Sequence, residues 1–157
     1  MADDSHWMQE AIAKARQGIV LGQTPFGACI VNADGIVSLA HNSVFATEDI
    51  TAHAEILAIR EACSRLESID LSGCRIYSTC EPCPMCFAAC HWARLDHLYF
   101  GAAIEDAAAA GFRELTLDHL MMKQLGGSPI QVTPGLEREA CVQLFREWAA
   151  RPDKKTY

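Results

Sequence analysis

Two short segments about thirty residues apart constrain this chain more than any other feature: His53-Ala54-Glu55 and Pro82-Cys83-Pro84-Met85-Cys86. Each opens an apolar pattern of helical spacing, so each is expected to present its polar side chains at a helix start. Cys83 and Cys86, at i and i+3, would share one helix face. Unpaired backbone amides at both helix starts favour anionic groups there, which lowers the cost of gathering two thiolates. An acceptable fold must bring those two helix starts together.

The remaining pattern alternates helix and strand. Trp7, Met8, Ala11, Ile12, Ala15 and Ile19 recur at helical spacing after Ser5, a possible cap, and predict a first helix ending near 18–22. Phe26 to Val31 and Ile36 to Ala40, joined by Asn32-Ala33-Asp34-Gly35, read as a β-hairpin. A loop over 41–50 leads to a second helix with Ile56, Ile59, Cys63 and Leu66 as its buried stripe. Strands are expected at 75–79 and 97–100, with a helix over 84–94 between them. Ala107 to Ala110 fits either a short helix or a loop, 115–125 reads as helix ended by Gly126-Gly127, and 130–132 as a brief strand. Thr133-Pro134 offers an N-cap and first residue for a last helix, with Leu136, Ala140, Leu144 and Trp148 inward. Without a repeat or linker, the pattern predicts one domain over 1–157, an α/β layered fold with a mixed sheet.

Composition narrows the function classes. Of 157 residues half are hydrophobic and 21% charged, enough for a core and too apolar for disorder. A net charge of −7 argues against nucleic acid as the main partner, since phosphate affinity rests on clustered Lys and Arg. The acidic start, with no apolar segment after it and no long apolar run elsewhere, predicts no secretory signal, no membrane span and a cytoplasmic location. Eight cysteines in such a chain suggest metal or redox chemistry rather than disulfides. Cys29, Cys63, Cys74 and Cys141 sit singly in apolar patterns and read as core.

His53, Cys83 and Cys86 would supply three zinc ligands and leave the fourth position to water, with Glu55 close enough to take and return its proton. Two rival readings use the same region. Cys80, Cys83, Cys86 and His53 could close a structural zinc site in a non-enzymatic interaction module. Cys80, Cys83, Cys86 and Cys90 also reproduce the spacing of a bacterial-type iron–sulfur run, but His91 follows where that pattern has Pro, and His53-Ala54-Glu55 is left without a role. The first reading accounts for both segments, with Cys80 at a strand end and Cys90 in the core. Together, His-x-Glu and Pro-Cys-x-x-Cys form the signature of zinc nucleobase deaminases.

On these motifs the chain resembles the cytidine and deoxycytidylate deaminase superfamily. Pro25-Phe26-Gly27-Ala28, Asn42, Ser78 to Cys86, Trp92-Ala93-Arg94, Ala110-Gly111-Phe112 and Lys154-Lys155-Thr156-Tyr157 are similar to its bacterial guanine deaminase branch. The resemblance implies a three-layer α/β/α fold around a five-stranded mixed sheet, one zinc ion per subunit, and hydrolysis of guanine to xanthine and ammonia. It also implies a homodimer whose C-terminal segments are exchanged and help complete the partner's site. Carried across, His53, Cys83 and Cys86 match the metal ligands and Glu55 the proton shuttle. Asn42 and the Ala54 backbone N–H match purine contacts, Phe26 and Trp92 would border the base, and Tyr157 would reach it from the C-terminal arm. Glu114 stands where the branch usually has an aspartate. That departure leaves guanosine or a guanine-like triazine open as substrates, with cytosine, cytidine and tRNA adenosine as the wider superfamily alternatives.

Overall fold

The computed structural model describes residues 3–157. α1 (Asp4–Val20) starts one residue before the expected cap, because the Asp3 carboxylate rather than Ser5 accepts the His6 N–H at 2.9 Å. Its buried stripe of Met8, Ala11, Ile12, Ala15 and Ile19 follows the predicted period. The hairpin is β1 (Gly27–Asn32) and β2 (Gly35–His41). Asn32 Oδ1 accepts the Asp34 N–H at 2.9 Å, and Gly35 takes φ +121°, where a side chain would be strained. A single turn, α2 (Val44–Thr47), lies within the expected loop.

α3 (Ala54–Leu66) begins at the predicted place but buries a different face. Ala54, Ala58 and Ala62 turn inward with Glu55, while Ile56, Ile59 and Cys63 are half-buried and Leu66 is exposed. Small side chains let the helix lie close to the hairpin, so the alanine row takes the core and the bulkier stripe the flank.

β3 (Arg75–Cys80), α4 (Pro84–Trp92) and β4 (His97–Ala102) form a strand–helix–strand crossover. α5 (Ile104–Ala109) resolves the alanine-rich segment as helix. α6 (His119–Gly126) is shorter than expected: the Asp118 carboxylate caps it by accepting the Met121 N–H at 2.8 Å, leaving 111–118 irregular. β5 (Gln131–Thr133) is the brief strand. The last helix, α7 (Arg138–Ala149), starts later than Thr133-Pro134 suggests, because Gly135 (φ +78°) and Glu137 (φ 53°) turn the chain first.

The five strands run in the order β2-β1-β3-β4-β5. β1 is antiparallel to β2 and β3, whereas β3, β4 and β5 are parallel, giving the mixed sheet expected. Alternate residues divide two cores. Cys29 and Val31 pack with α1 and α7, and Ala28 and Ile30 with α3 and α4, which makes three layers. Cys29, Cys74 and Cys141 are buried, Cys63 partly so, and all eight cysteines are free.

Gly27 fixes how closely α1 approaches the sheet. A Cβ there would overlap the Ala11 carbonyl and lie 2.8 Å from the Ala15 nitrogen, both backbone atoms that cannot swing aside. Gly27→Ala is expected to cost about 1–3 kcal/mol as overpacking, read as a lower urea midpoint at unchanged slope.

Candidate metal and substrate site

The sheet topology gathers one end of four strands. The C-terminal ends of β3 and β4, the start of β1 and the end of β2 lie on the same edge, so Cys80, Ala103, Phe26 and Asn42 are neighbours in space. Ligands of parallel sheets bind at this carboxyl end. α3 and α4 both begin there, with His53 and Cys83 as their N-cap residues. Pro84 occupies the first helical position of α4, where its fixed φ suits the helix and its missing N–H costs no bond.

The two helix starts bring one imidazole and two sulfurs together. His53 Nδ1 lies 3.7 Å from Cys83 Sγ and 3.5 Å from Cys86 Sγ, and all three donor atoms fall within 4.8 Å of one another. Tetrahedral zinc with ordinary Zn–S and Zn–N bonds spaces its donors about 3.5 Å apart, so the set fits that ion. Cys80 is not in the set: its thiol donates to the Ala103 carbonyl at 3.6 Å, which removes the closed Cys₃His arrangement. Cys90, on the inward face of α4, is fully buried in the core.

The electrostatics suit a cation. The Cys83 thiol is pulled down to about 4 by the hydrogen bond with Cys86, with His53 adding to the effect against burial. The Cys86 thiol is pushed strongly up by the same contact and by burial, so the two sulfurs share a proton. Burial opposes the charged imidazole of His53, but the Cys83 hydrogen bond and the Glu55 charge outweigh it and raise its pKa.

Glu55, one helical position past Ala54, is almost wholly buried, and burial raises its proton affinity despite the opposing pull of His53. The Ser78 hydroxyl sits 2.9 Å from Glu55 Oε1 and 2.7 Å from the Cys80 carbonyl. Having one proton, it serves one of those acceptors at a time.

His53, Glu55 and Cys83 line an inner cavity of about 30 Å³ together with Phe26, Asn42 and Tyr157. Cys80, Glu81 and Glu114 complete it. Buried Asn42 is held by the Val44 N–H, which donates to Oδ1 at 3.1 Å, and its Nδ2 donates to the Tyr157 hydroxyl at 2.7 Å. Phe26 stands edge-on to Phe112 and Phe145, at 5.0 and 5.7 Å, so it is both a cavity wall and a core residue. Burial raises the Glu114 carboxyl above its ordinary range, and the negative charge expected on Cys83 adds to this. Ala54, the first residue of α3, is buried, and its N–H has no partner within the helix.

Trp92 is not brought to this cavity. α4 runs back from the site antiparallel to its flanking strands, and at about 1.5 Å per residue its last residue lies on the far edge of the sheet. There Trp92 is 81% exposed and borders a larger groove of about 1220 Å³ with Arg94 and His97. That groove shares no lining residue with the inner cavity, and the donor cluster marks the smaller space as the chemical site. Glu81 and Ser78 are the site residues that sequence reasoning missed. The signal for Glu81 was a carboxylate inside the Cys80 to Cys83 turn.

An open site of two sulfurs and one imidazole beside a buried carboxylate defines a zinc-dependent hydrolase. The chain belongs to the cytidine and deoxycytidylate deaminase family, whose zinc-binding region matches residues 1–102. It is 43% identical over 107 residues to the guanine deaminase of Bacillus subtilis (strain 168), covering 68% of this chain and 69% of that one. A tRNA-specific adenosine deaminase of the same bacterium is 35% identical over 141 residues, covering 90% and 85%. Among solved structures, a guanine deaminase from Nitrosomonas europaea superposes with a TM-score of 0.88 at 31% identity, over 96% of this chain and 87% of that one. The chain is therefore a zinc-dependent aminohydrolase. No helix among the described residues is long and apolar enough to cross a membrane.

Proposed function

We propose that this chain deaminates guanine hydrolytically to xanthine and ammonia, as a cytoplasmic homodimer. The observation carrying the reading is the inner cavity, whose lining joins Glu55 and the Asn42 amide to His53 and Cys83 of the three-donor metal cluster. His53, Cys83 and Cys86 would hold zinc, which supplies the Lewis acidity that makes water a nucleophile near neutral pH. Glu55 takes the proton from the attacking water, delivers it to the ring nitrogen next to the amine-bearing carbon, and assists ammonia as it leaves. Its burial suits that exchange, because desolvation raises the proton affinity of the carboxylate and so helps it to accept the proton it later returns. Glu114 is a second acid for the ring or the leaving amine. Asn42 and the Ala54 N–H bind the purine edge, and Phe26 borders its plane.

The C-terminal residue acts as a lid. In the closed chain the Tyr157 hydroxyl takes the Asn42 donor, and about 30 Å³ leaves room for a water or two but not for a bicyclic base. Substrate must displace Tyr157 to enter. An outer recess of about 380 Å³, bounded by Met85, Phe112 and Leu115, receives the base on its way in. The arm turns onto its own site in the single chain; in the dimer we propose that it is exchanged.

Guanine is supported over adenosine in tRNA by the acidic chain and by a solved neighbour of the same fold that holds 8-azaguanine. Zinc-loaded protein assayed for ammonia release with guanine, guanosine, adenine, cytosine, cytidine and a tRNA anticodon stem-loop should react with guanine. Reaction with only the nucleoside or the RNA would overturn the substrate and leave the chemistry standing.

A further inference from the structure

Glu81 lies in the turn between β3 and the Cys83 cap, and the residue is buried, 8% exposed. Neither oxygen is idle. Oε2 accepts the backbone N–H of Ile104, the first residue of α5, at 3.1 Å. Oε1 accepts the backbone N–H of His119, the first residue of α6, at 3.2 Å, and lies 2.6 Å from the His119 Nδ1. Its own N–H donates to the Ala102 carbonyl at 2.7 Å, tying the turn to the end of β4. One buried carboxylate thus clasps both ends of the segment 104–119.

That segment matters to the site. Between the clasped ends, residues 111–118 carry no regular structure, yet Glu114 lines the cavity and Phe112 stands edge-on to Phe26 and, at 5.9 Å, to Tyr157. An irregular stretch holds a wall in place only if its ends are fixed, because free ends leave the ordering cost to be met on binding. The metal ligand Cys83 lies two residues from the clasp. The same turn therefore presents the metal and sets the wall facing it.

We infer that Glu81 is a positioning residue that pre-orders 104–119 over the cavity, and so sets where Glu114 and Phe112 meet the substrate. This deepens the guanine deaminase reading and rests on it for the identity of the substrate.

The test is Glu81→Gln. It keeps the length, but an amide has one acceptor oxygen, so one end of the clasp faces an NH₂ donor. We expect zinc content to stay at the wild-type value and hydrogen exchange to quicken selectively in 104–119. The specificity constant kcat/KM should fall about 10- to 100-fold, chiefly through KM, the scale seen for partners that orient active-site groups. His119→Ala, which removes only the side-chain half of one end, should show the same selective exchange in smaller degree. His119→Asn, whose amide can replace the Nδ1 donor, should restore the wild-type protection of 104–119. If Glu81→Gln does not fold, the His119 pair decides the question.

Unchanged exchange in 104–119 with unchanged KM overturns the inference. So does loss of zinc without selective exchange, which would make Glu81 a support for the metal turn alone. The exchange readout needs no substrate. Failure of guanine to react would therefore fall on the proposed function, and failure of the segment to loosen would fall on the clasp.

Discussion

Glu55→Ala should lower guanine turnover by about 100- to 10,000-fold, the range for losing a positioned general acid–base, while zinc content stays as in the wild type. The carboxylate is separate from the metal donors, so its removal leaves all three of them in place. The fold should tolerate the change. Burial opposes ionisation of Glu55, and the Ser78 hydroxyl still has the Cys80 carbonyl as an acceptor, so no buried donor is stranded. Glu55→Gln should lose a comparable factor, since an amide keeps the shape and cannot carry the proton. Metal analysis and steady-state kinetics on the same preparation check both points. Near-normal turnover in either variant would remove Glu55 from the proton path.

The parts of this architecture legible in the sequence are those encoded locally. Cys83 is the N-cap and Cys86 the third residue of a helix that Pro84 starts, so spacing alone brings them to one side of the helix start. The hairpin was legible because Asn32 to Gly35 carries its own turn chemistry. Residues whose role depends on a distant partner were harder to read. In α3 both the isoleucine stripe and the alanine row have helical period, and only packing against the hairpin decides which is buried. Glu81 and His119 are 38 residues apart, and nothing in either segment announces the other. Trp92 is set by helix direction: α4 begins at the site and must end away from it, which the motif cannot reveal until the sheet order is known. The late start of α7 has a different cause. Thr133-Pro134 is a sound helix-start signal, but Gly135 and Glu137 take left-handed backbone and use those residues in a turn.

Removing a sulfur should have the largest effect of all. Cys83→Ala leaves two donors, too few for a three-ligand zinc site, and is expected to reduce zinc to a small fraction of the wild-type content. Guanine turnover should then fall further than in the Glu55 variants, because the metal that would activate the water is lost and Glu55 is left with no activated water to deprotonate. The cost to folding follows from charge. Without a cation the Cys83 and Cys86 sulfurs share one proton beside the partly buried imidazole of His53, whereas a divalent ion would hold both as thiolates and take a neutral His53. Binding therefore releases protons, and zinc affinity should weaken as pH falls and the ligands are protonated. A chelator should lower the melting temperature of the wild type and leave Cys83→Ala unmoved, since only a bound metal stabilises by mass action. If Cys83→Ala kept its zinc and a chelator-sensitive melting temperature, the metal would have to lie elsewhere. The juxtaposition of Glu55 with His53, Cys83 and Cys86 would then have no catalytic meaning.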